Sequence, residues 1–330
     1  MKFFGNCTVA LVLLLCTVST QAFAGDAQSN RAAAMRSVDM KLYDFYMDHS
    51  LGLELCLETC PSKAKLIDDA SGTLVALLDG AVSSIRGEHH GAMNFSEHTS
   101  ELLTKNKKVY SKAAGCTPCL ALAKRVKQYA DSGFPAKISR VALLHTEKYK
   151  NNPELEFADN LVYKTHYGWI ASGKRRSCNV QMPRTWAKAS PERSRRSFEY
   201  RSALGNGVPF FAIESSPARK VHSKEKILQE LHHRVEAEVL SKQFGLVQIL
   251  AQGMQRLGST QGIWVMFAAD GKGNNDAGYY YNWYMLVDGT VLMFRSGVNG
   301  SGKSPTMEQE ELFRKYYHTL REIAVSSVIR

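Results

Sequence analysis

The chain has 330 residues, 44% of them hydrophobic and 22% charged, with a formal net charge of +11, or +10 without Lys2. This balance is that of a globular protein, and the cysteines are too few for a disulfide scaffold. The length exceeds one small core and suits two or three domains.

Residues 1–24 read as a secretory signal peptide: Lys2 gives the positive start, Val9 to Val18 the apolar stretch, and Ala22-Phe23-Ala24 the cleavage site. A retained signal anchor is the alternative. No later stretch is apolar enough over sufficient length to span a bilayer. The expected location is periplasmic or secreted.

Residues 25–106 read as a helical N-terminal region. Met35, Val38, Leu42 and Phe45 recur at helical spacing, as do Ile67, Ala70, Leu74, Leu77 and Ala81. Arg86 to Ser96 reads as a polar loop. His89, His90 and His98 with Glu88 and Glu97 match no defined metal site, and a solvated loop is preferred.

Residues 107–245 read as an α/β domain. Val109 to Ala114 is a short strand candidate. A helix follows, with Cys119, Leu122, Ala123 and Val126 on one face and Gly133 as its cap. Ile138 to Leu144 reads as a strand, 146–203 as a mainly helical insert, Val208 to Ile213 as a turn entering a strand, and Ser223 to Phe244 as a helix.

Residues 246–330 read as a small α+β module. Leu246 to Leu257 is expected to be helical and Ile263 to Ala269 a strand. Tyr279–Val287 and Thr290–Phe294 flank Asp288-Gly289, a hairpin signal. Pro305 marks the start of a last helix carrying Leu312, Tyr316, Leu320 and Ile323. Tyr279 to Trp283 with Trp264 reads as sheet core. Gly297 to Ser304 matches a phosphate-loop pattern. It follows a hairpin strand and leaves no room for a downstream magnesium-binding strand, so nucleotide binding is set aside.

Five cysteines follow the signal: Cys56, Cys60, Cys116, Cys119 and Cys178. Cys116-Thr117-Pro118-Cys119 opens a helix, whose N-terminus favours a thiolate. Cys116 is placed to attack and Cys119 to resolve the mixed disulfide. A static disulfide and a metal site shared with Cys56 and Cys60 are the other readings. Cys56 and Cys60, four apart on one helix face, suit a local bridge or a relay pair. Residues 174–201 hold nine Lys or Arg and two Glu, a basic segment suited to an anionic surface or envelope machinery.

The Cys116–Cys119 motif, the helical insert and Gly207-Val208-Pro209-Phe210-Phe211 together resemble the thioredoxin-like superfamily, above all periplasmic disulfide oxidoreductases and isomerases. The resemblance covers residues 107–243. It implies a thioredoxin-like central domain with a helical insert, and a cis-proline loop in which Val208 and Pro209 hold the substrate backbone. The implied function is thiol–disulfide exchange on envelope proteins, with no bound cofactor or metal and with a redox partner that resets the dithiol. The alternatives are a non-enzymatic periplasmic component of a conjugation or secretion system with structural disulfides, and a secreted effector acting through its C-terminal module.

Overall fold

The computed structural model describes residues 7–189, 198–218, 229, 231–258, 260–273 and 275–330, with side chains from residue 29 onward except those of 31 and 113. Within the expected leader, residues 1–6 lie outside the described residues, and 7–24 are described by backbone alone. Their backbone begins a long helix, α1 (Cys7–Thr59).

The first half is helical. After α1 come α2 (Ala64–Glu88), α3 (Phe95–Val109), α4 (Thr117–Ser132), α5 (Ala136–His145) and two short pieces, α6 (Glu147–Asn151) and α7 (Leu155–Ala158). The α2 stripe is Ile67, Ala70, Leu74, Leu78, Ala81, Val82 and Ile85. It differs from the expected stripe at one place: Leu78 is buried and Leu77 is exposed. These residues meet Leu42, Tyr43 and Leu53 of α1, Leu122 and Val126 of α4, and Ile138 and Val141 of α5 in one core. Gly52 of α1 lies so close to Leu122 and Tyr110 that a Cβ there would come within 2.8 Å of each.

The second half is built on antiparallel strands. A hairpin of β1 (Val162–Ala171) and β2 (Lys174–Pro183) is joined by a C-terminal β10 (Val328–Ile329). The larger sheet contains β3 (Ala187–Lys188), β4 (Glu199–Arg201), β5 (Pro209–Pro217), β6 (Val247–Leu257), β7 (Thr260–Ala269), β8 (Ala277–Val287) and β9 (Thr290–Gly300), in the order β3-β4-β5-β9-β8-β7-β6. A short turn, α8 (Ser202–Gly205), precedes β5. The helices α9 (Ala237–Phe244) and α10 (Met307–Val325) complete the fold.

Strand alternation gives this sheet two buried faces. Phe211, Ile213, Tyr281, Trp283 and Phe294 pack with α10, while Phe210, Tyr280, Tyr284 and Phe267 pack with Leu240 and Phe244 of α9. The expected hairpin joins β8 to β9, and Asp288 and Gly289 both take positive φ, 46° and 74°, the pairing a tight two-residue turn requires. Thr306 caps α10 by accepting from the Gln309 N–H, and Gln309 returns the bond.

The protein is thus a mixed helix-and-sheet structure, but the central segment is not organised as the resemblance implies. Residues 109–114 end α3 and form a 3-10 turn. Residues 138–144 lie in α5, because Ile138 and Val141 stand one turn apart against the same helical core. The segment 107–245 is divided: α4 and α5 complete the N-terminal bundle, Phe157 of α7 packs against the sheet core, and the rest supplies strands β1 to β5 and helix α9. The expected helical insert is the β1–β2 hairpin with β3 and β4, and the expected helix 246–257 is β6. Ser223, the expected cap of the next helix, lies outside the described residues.

The halves are fastened together by Arg140 of α5, which donates to the carbonyls of Arg184 and Trp186 at 2.7 and 2.6 Å and lies over the Tyr163 ring.

Candidate functional site

Four of the predicted site residues meet at one place. Cys56 ends the core stripe of α1, and Cys60 follows one turn later, its N–H donating to the Cys56 carbonyl at 2.9 Å. Cys116 occupies the N-cap of α4, and Cys119 lies one turn inside. Gly115 precedes Cys116 with φ 66°, a left-handed conformation that glycine adopts without steric cost. That turn redirects the chain from the 3-10 segment into α4.

The pairs are not the local ones the spacing suggests. Cys56 bonds Cys119, and Cys60 bonds Cys116, with Cα separations of 5.4 and 5.6 Å, both within the bridging range. Each bridge crosses from α1 to α4, like two rungs of a ladder. The spacing of four on one element and three on the other aligns both residues of each pair on the facing sides, because both spacings are about one helical turn. The close approach of Gly52 to Leu122 sets the spacing of α1 and α4, and Thr59 Oγ1 donates to the carbonyl of Tyr110, at the end of α3, at 2.8 Å.

The inner rung is fully enclosed: Cys56 and Cys119 both have no exposed surface. In the outer rung Cys60 is buried and Cys116 half-buried. As disulfides, these sulfurs present no thiolate. The chemistry left to the site is electrophilic. An incoming thiolate would reach Cys116 Sγ, form a mixed disulfide and release Cys60 as the leaving thiolate.

Val208 and Pro209 lie elsewhere. Pro209 opens β5, buried opposite Val298 of β9, a position where its missing N–H is tolerated. Its peptide bond is trans. The Val208 carbonyl accepts from Arg201 Nη1 at 3.1 Å. The two residues belong to the sheet and the four cysteines to the helical core, so the structure does not bring them together.

The basic segment is dispersed. Lys174 and Arg175 stand exposed at the tip of the β1–β2 hairpin, next to Ile170, which is 75% exposed. Arg176 pairs with Asp288. Arg201 is buried against Glu199 at 2.8 Å. Arg193, Arg195 and Arg196 lie outside the described residues. Cys178 is buried on β2, and burial pushes its thiol up to about 12.

A polar cluster that sequence reading missed lies in the helical half. The buried Asp39 carboxylate accepts from His89 Nε2 at 2.8 Å and from His145 Nε2 at 2.7 Å. Both rings therefore carry a proton on Nε2. Glu88 accepts from Lys150 Nζ at 2.6 Å and Ser84 Oγ at 3.0 Å. Burial raises the Glu88 pKa, but those bonds and the His145 charge outweigh it and hold the carboxyl below its usual range. No cluster fit to hold a metal occurs among the described residues. The phosphate-loop match likewise lacks its geometry, since Gly297–Gly300 lie within antiparallel β9 and α10 begins only at Met307.

No protein-family model and no curated protein matches the chain. Among solved structures the chain is similar to the solution structure of cyanobacterial PsbP (CyanoP) from Synechocystis sp. PCC 6803, with 8% identity and a TM-score of 0.34, over 51% of this chain and 92% of that one.

Proposed function

We propose that this chain is an exported, non-enzymatic envelope component, of the kind that serves a secretion or conjugation machine, and that its four paired cysteines are structural staples. The observation that carries this reading is the cross-helix pairing of Cys56 with Cys119 and Cys60 with Cys116 inside the helical core. A dithiol built for exchange alternates between a local bridge and two free thiols. Here the partners of Cys119 and Cys116 are Cys56 of α1 and Cys60 just after its end, and opening a rung would loosen the packing of α1 on α4. Two disulfides fit an oxidising compartment, and among the described residues no helix is long and apolar enough to cross a membrane. The exposed Lys174, Arg175 and Ile170 at one hairpin tip suit contact with an anionic partner surface.

One observation favours the second reading, thiol–disulfide exchange by a thioredoxin-like mechanism. Cys116 is half-buried at the N-terminus of α4, where a thiolate released by reduction is stabilised. In that reading Cys116 attacks, a neighbouring cysteine resolves, and a redox partner resets the pair.

A glutathione redox titration of the protein without residues 1–24 separates the two. Staples stay closed at the envelope's potential, with a reduction potential below about −300 mV, and Cys119→Ser traps no client. A reversible transition near the envelope's own potential, with a client disulfide on Cys116, would establish exchange instead.

A further inference from the structure

The two edges of the seven-stranded sheet are built differently. One ends in β3 and β4, of two and three residues. Short edge strands are how natural sheets avoid unwanted pairing. The other ends in β6, eleven residues long. Among the described residues β6 pairs on one side only, with β7. A β-bulge falls between Ile249 and Ala251, and from Ala251 to Leu257 the pairing with β7 is regular. That seven-residue stretch carries one charge, Arg256, and no proline. It offers an open row of N–H and C=O groups, interrupted by neither proline nor bulge and guarded by a single charge.

The side chains along this edge are also out of place for a solvated strand. Leu250 and Met254 are 44% and 45% exposed, and Leu246 just before β6 is 77% exposed. Within the regular stretch, Gln252, Met254 and Arg256 are exposed on one face, while the alternate residues Ala251, Gly253 and Gln255 are half-buried. The Trp264 ring covers Gly253 from that second face, where a Cβ would come within 2.8 Å of it.

The regular stretch is complementary to itself. Paired antiparallel with a second copy about Met254, it sets Met254 against Met254. Gln252 then stands opposite Arg256, a neutral acceptor facing a cation, and this happens twice. Ala251 meets Leu257, and Gly253 meets Gln255. No like charges oppose, and faces match because the bulge lies outside the paired residues. The isologous arrangement closes on itself, as a two-fold interface requires.

We infer that β6 is a homodimer interface: a second copy of this chain adds edge to edge, antiparallel, with Met254 on the two-fold axis, and joins the two sheets into one. The chain's net charge of +11 opposes the encounter of two copies, so the dimer tightens as salt screens that repulsion. An acidic partner on the same edge would show the opposite salt dependence.

The test is sedimentation equilibrium of the purified protein without residues 1–24, at low and raised salt. The expected result is a concentration-dependent dimer, strengthened by salt. Met254→Lys places two like charges across the axis and weakens it at least about tenfold. Gln252→Glu sets a carboxylate opposite Arg256 in both halves and tightens the dimer, whereas Gln252→Arg loosens it. This pair controls for folding, since one substitution at the site gains affinity. Under mild oxidation Met254→Cys cross-links two copies, and Gln248→Cys, beyond the bulge, does not. A monomer at the highest soluble concentration overturns the inference, as does a dimer indifferent to these substitutions. So does a monomer whose β6 amides resist hydrogen exchange, which would mean that the chain covers its own edge.

Discussion

Removing one rung of the cysteine ladder is expected to cost much less than removing both, by an amount the connectivity sets. Either bridge alone closes a long loop, with sequence separations of 63 and 56 residues. In the chain-entropy account such a loop is worth about 4 kcal/mol. Once one rung is closed, the other closes a ring of only nine residues, 56–60 and 116–119, and adds about 2.5 kcal/mol. Cys60→Ala with Cys116→Ala should therefore destabilise the protein by about 2.5 kcal/mol, and replacement of all four cysteines by about 7 kcal/mol. Loss of the inner pair instead should cost about 1 kcal/mol more than loss of the outer pair, because Cys56 and Cys119 are fully buried and alanine leaves a small void. Urea unfolding followed by far-UV circular dichroism measures all three variants against the unsubstituted protein. The reasoning is refuted if the outer-pair variant is as unstable as the fourfold variant. That outcome means that Cys60 and Cys116 belong to two different local bridges, both lost in the double substitution.

Graded reduction with alkylation and mass spectrometry should label Cys60 and Cys116 before Cys56 and Cys119, since only Cys116 is partly accessible; simultaneous labelling of all four would argue against two independent rungs. Cys178, its pKa pushed up to about 12 by burial, should resist iodoacetamide in the native protein at neutral pH and react on unfolding. Ready native labelling contradicts the β2–β10 packing over it. Asp39→Ala leaves two imidazole N–H groups without their acceptor and should cost about 2–4 kcal/mol in the same urea assay; a change under 0.5 kcal/mol, within the range of ordinary surface substitutions, would show that the cluster does not hold α1 to α5. The depressed Glu88 pKa adds stability above its unfolded value of 4.5 that is lost as the pH falls through the lower folded value. Glu88→Gln should therefore flatten the acid end of the stability profile, and an unchanged profile below pH 4.5 would refute the assignment.

Legibility in the sequence followed the local signals. The α4 face, the Gly133 stop and the Asp288-Gly289 turn were readable because each rests on neighbouring residues alone. The aromatic run at 279–283 lies in sheet core, as its composition implies, since Tyr280, Tyr281 and Trp283 alternate between two buried faces. The strands β1 and β2 were not readable as strands. Their exposed face carries Lys164, His166 and Arg175, so the apolar alternation is faint, and the Ser172-Gly173 turn is the local signal that marks them. β6 misled in a different way. Leu246, Ile249, Leu250 and Leu257 fall near helical spacing, and the apolar Leu250 and Met254 at exposed positions blur the alternation that marks a strand.

The site was legible in its membership and not in its wiring. Four cysteines at Cys56, Cys60, Cys116 and Cys119 allow three connectivities, and spacing alone cannot choose among them. The choice is made by the packing of α1 on α4, through Gly52 and the shared core, which joins residues some 60 positions apart. Asp39 went unnoticed for the same reason. It is a lone acid on α1 whose partners, His89 and His145, arrive from two other helices.

Disulfide mapping tests the central claim most directly: digestion of the purified protein without reductant, at acid pH to prevent exchange, followed by mass spectrometry of the linked peptides. The account predicts peptides joining Cys56 to Cys119 and Cys60 to Cys116. A bridge within the Cys116–Cys119 peptide, with Cys56 and Cys60 joined to each other or free, would contradict it and return the motif to redox exchange.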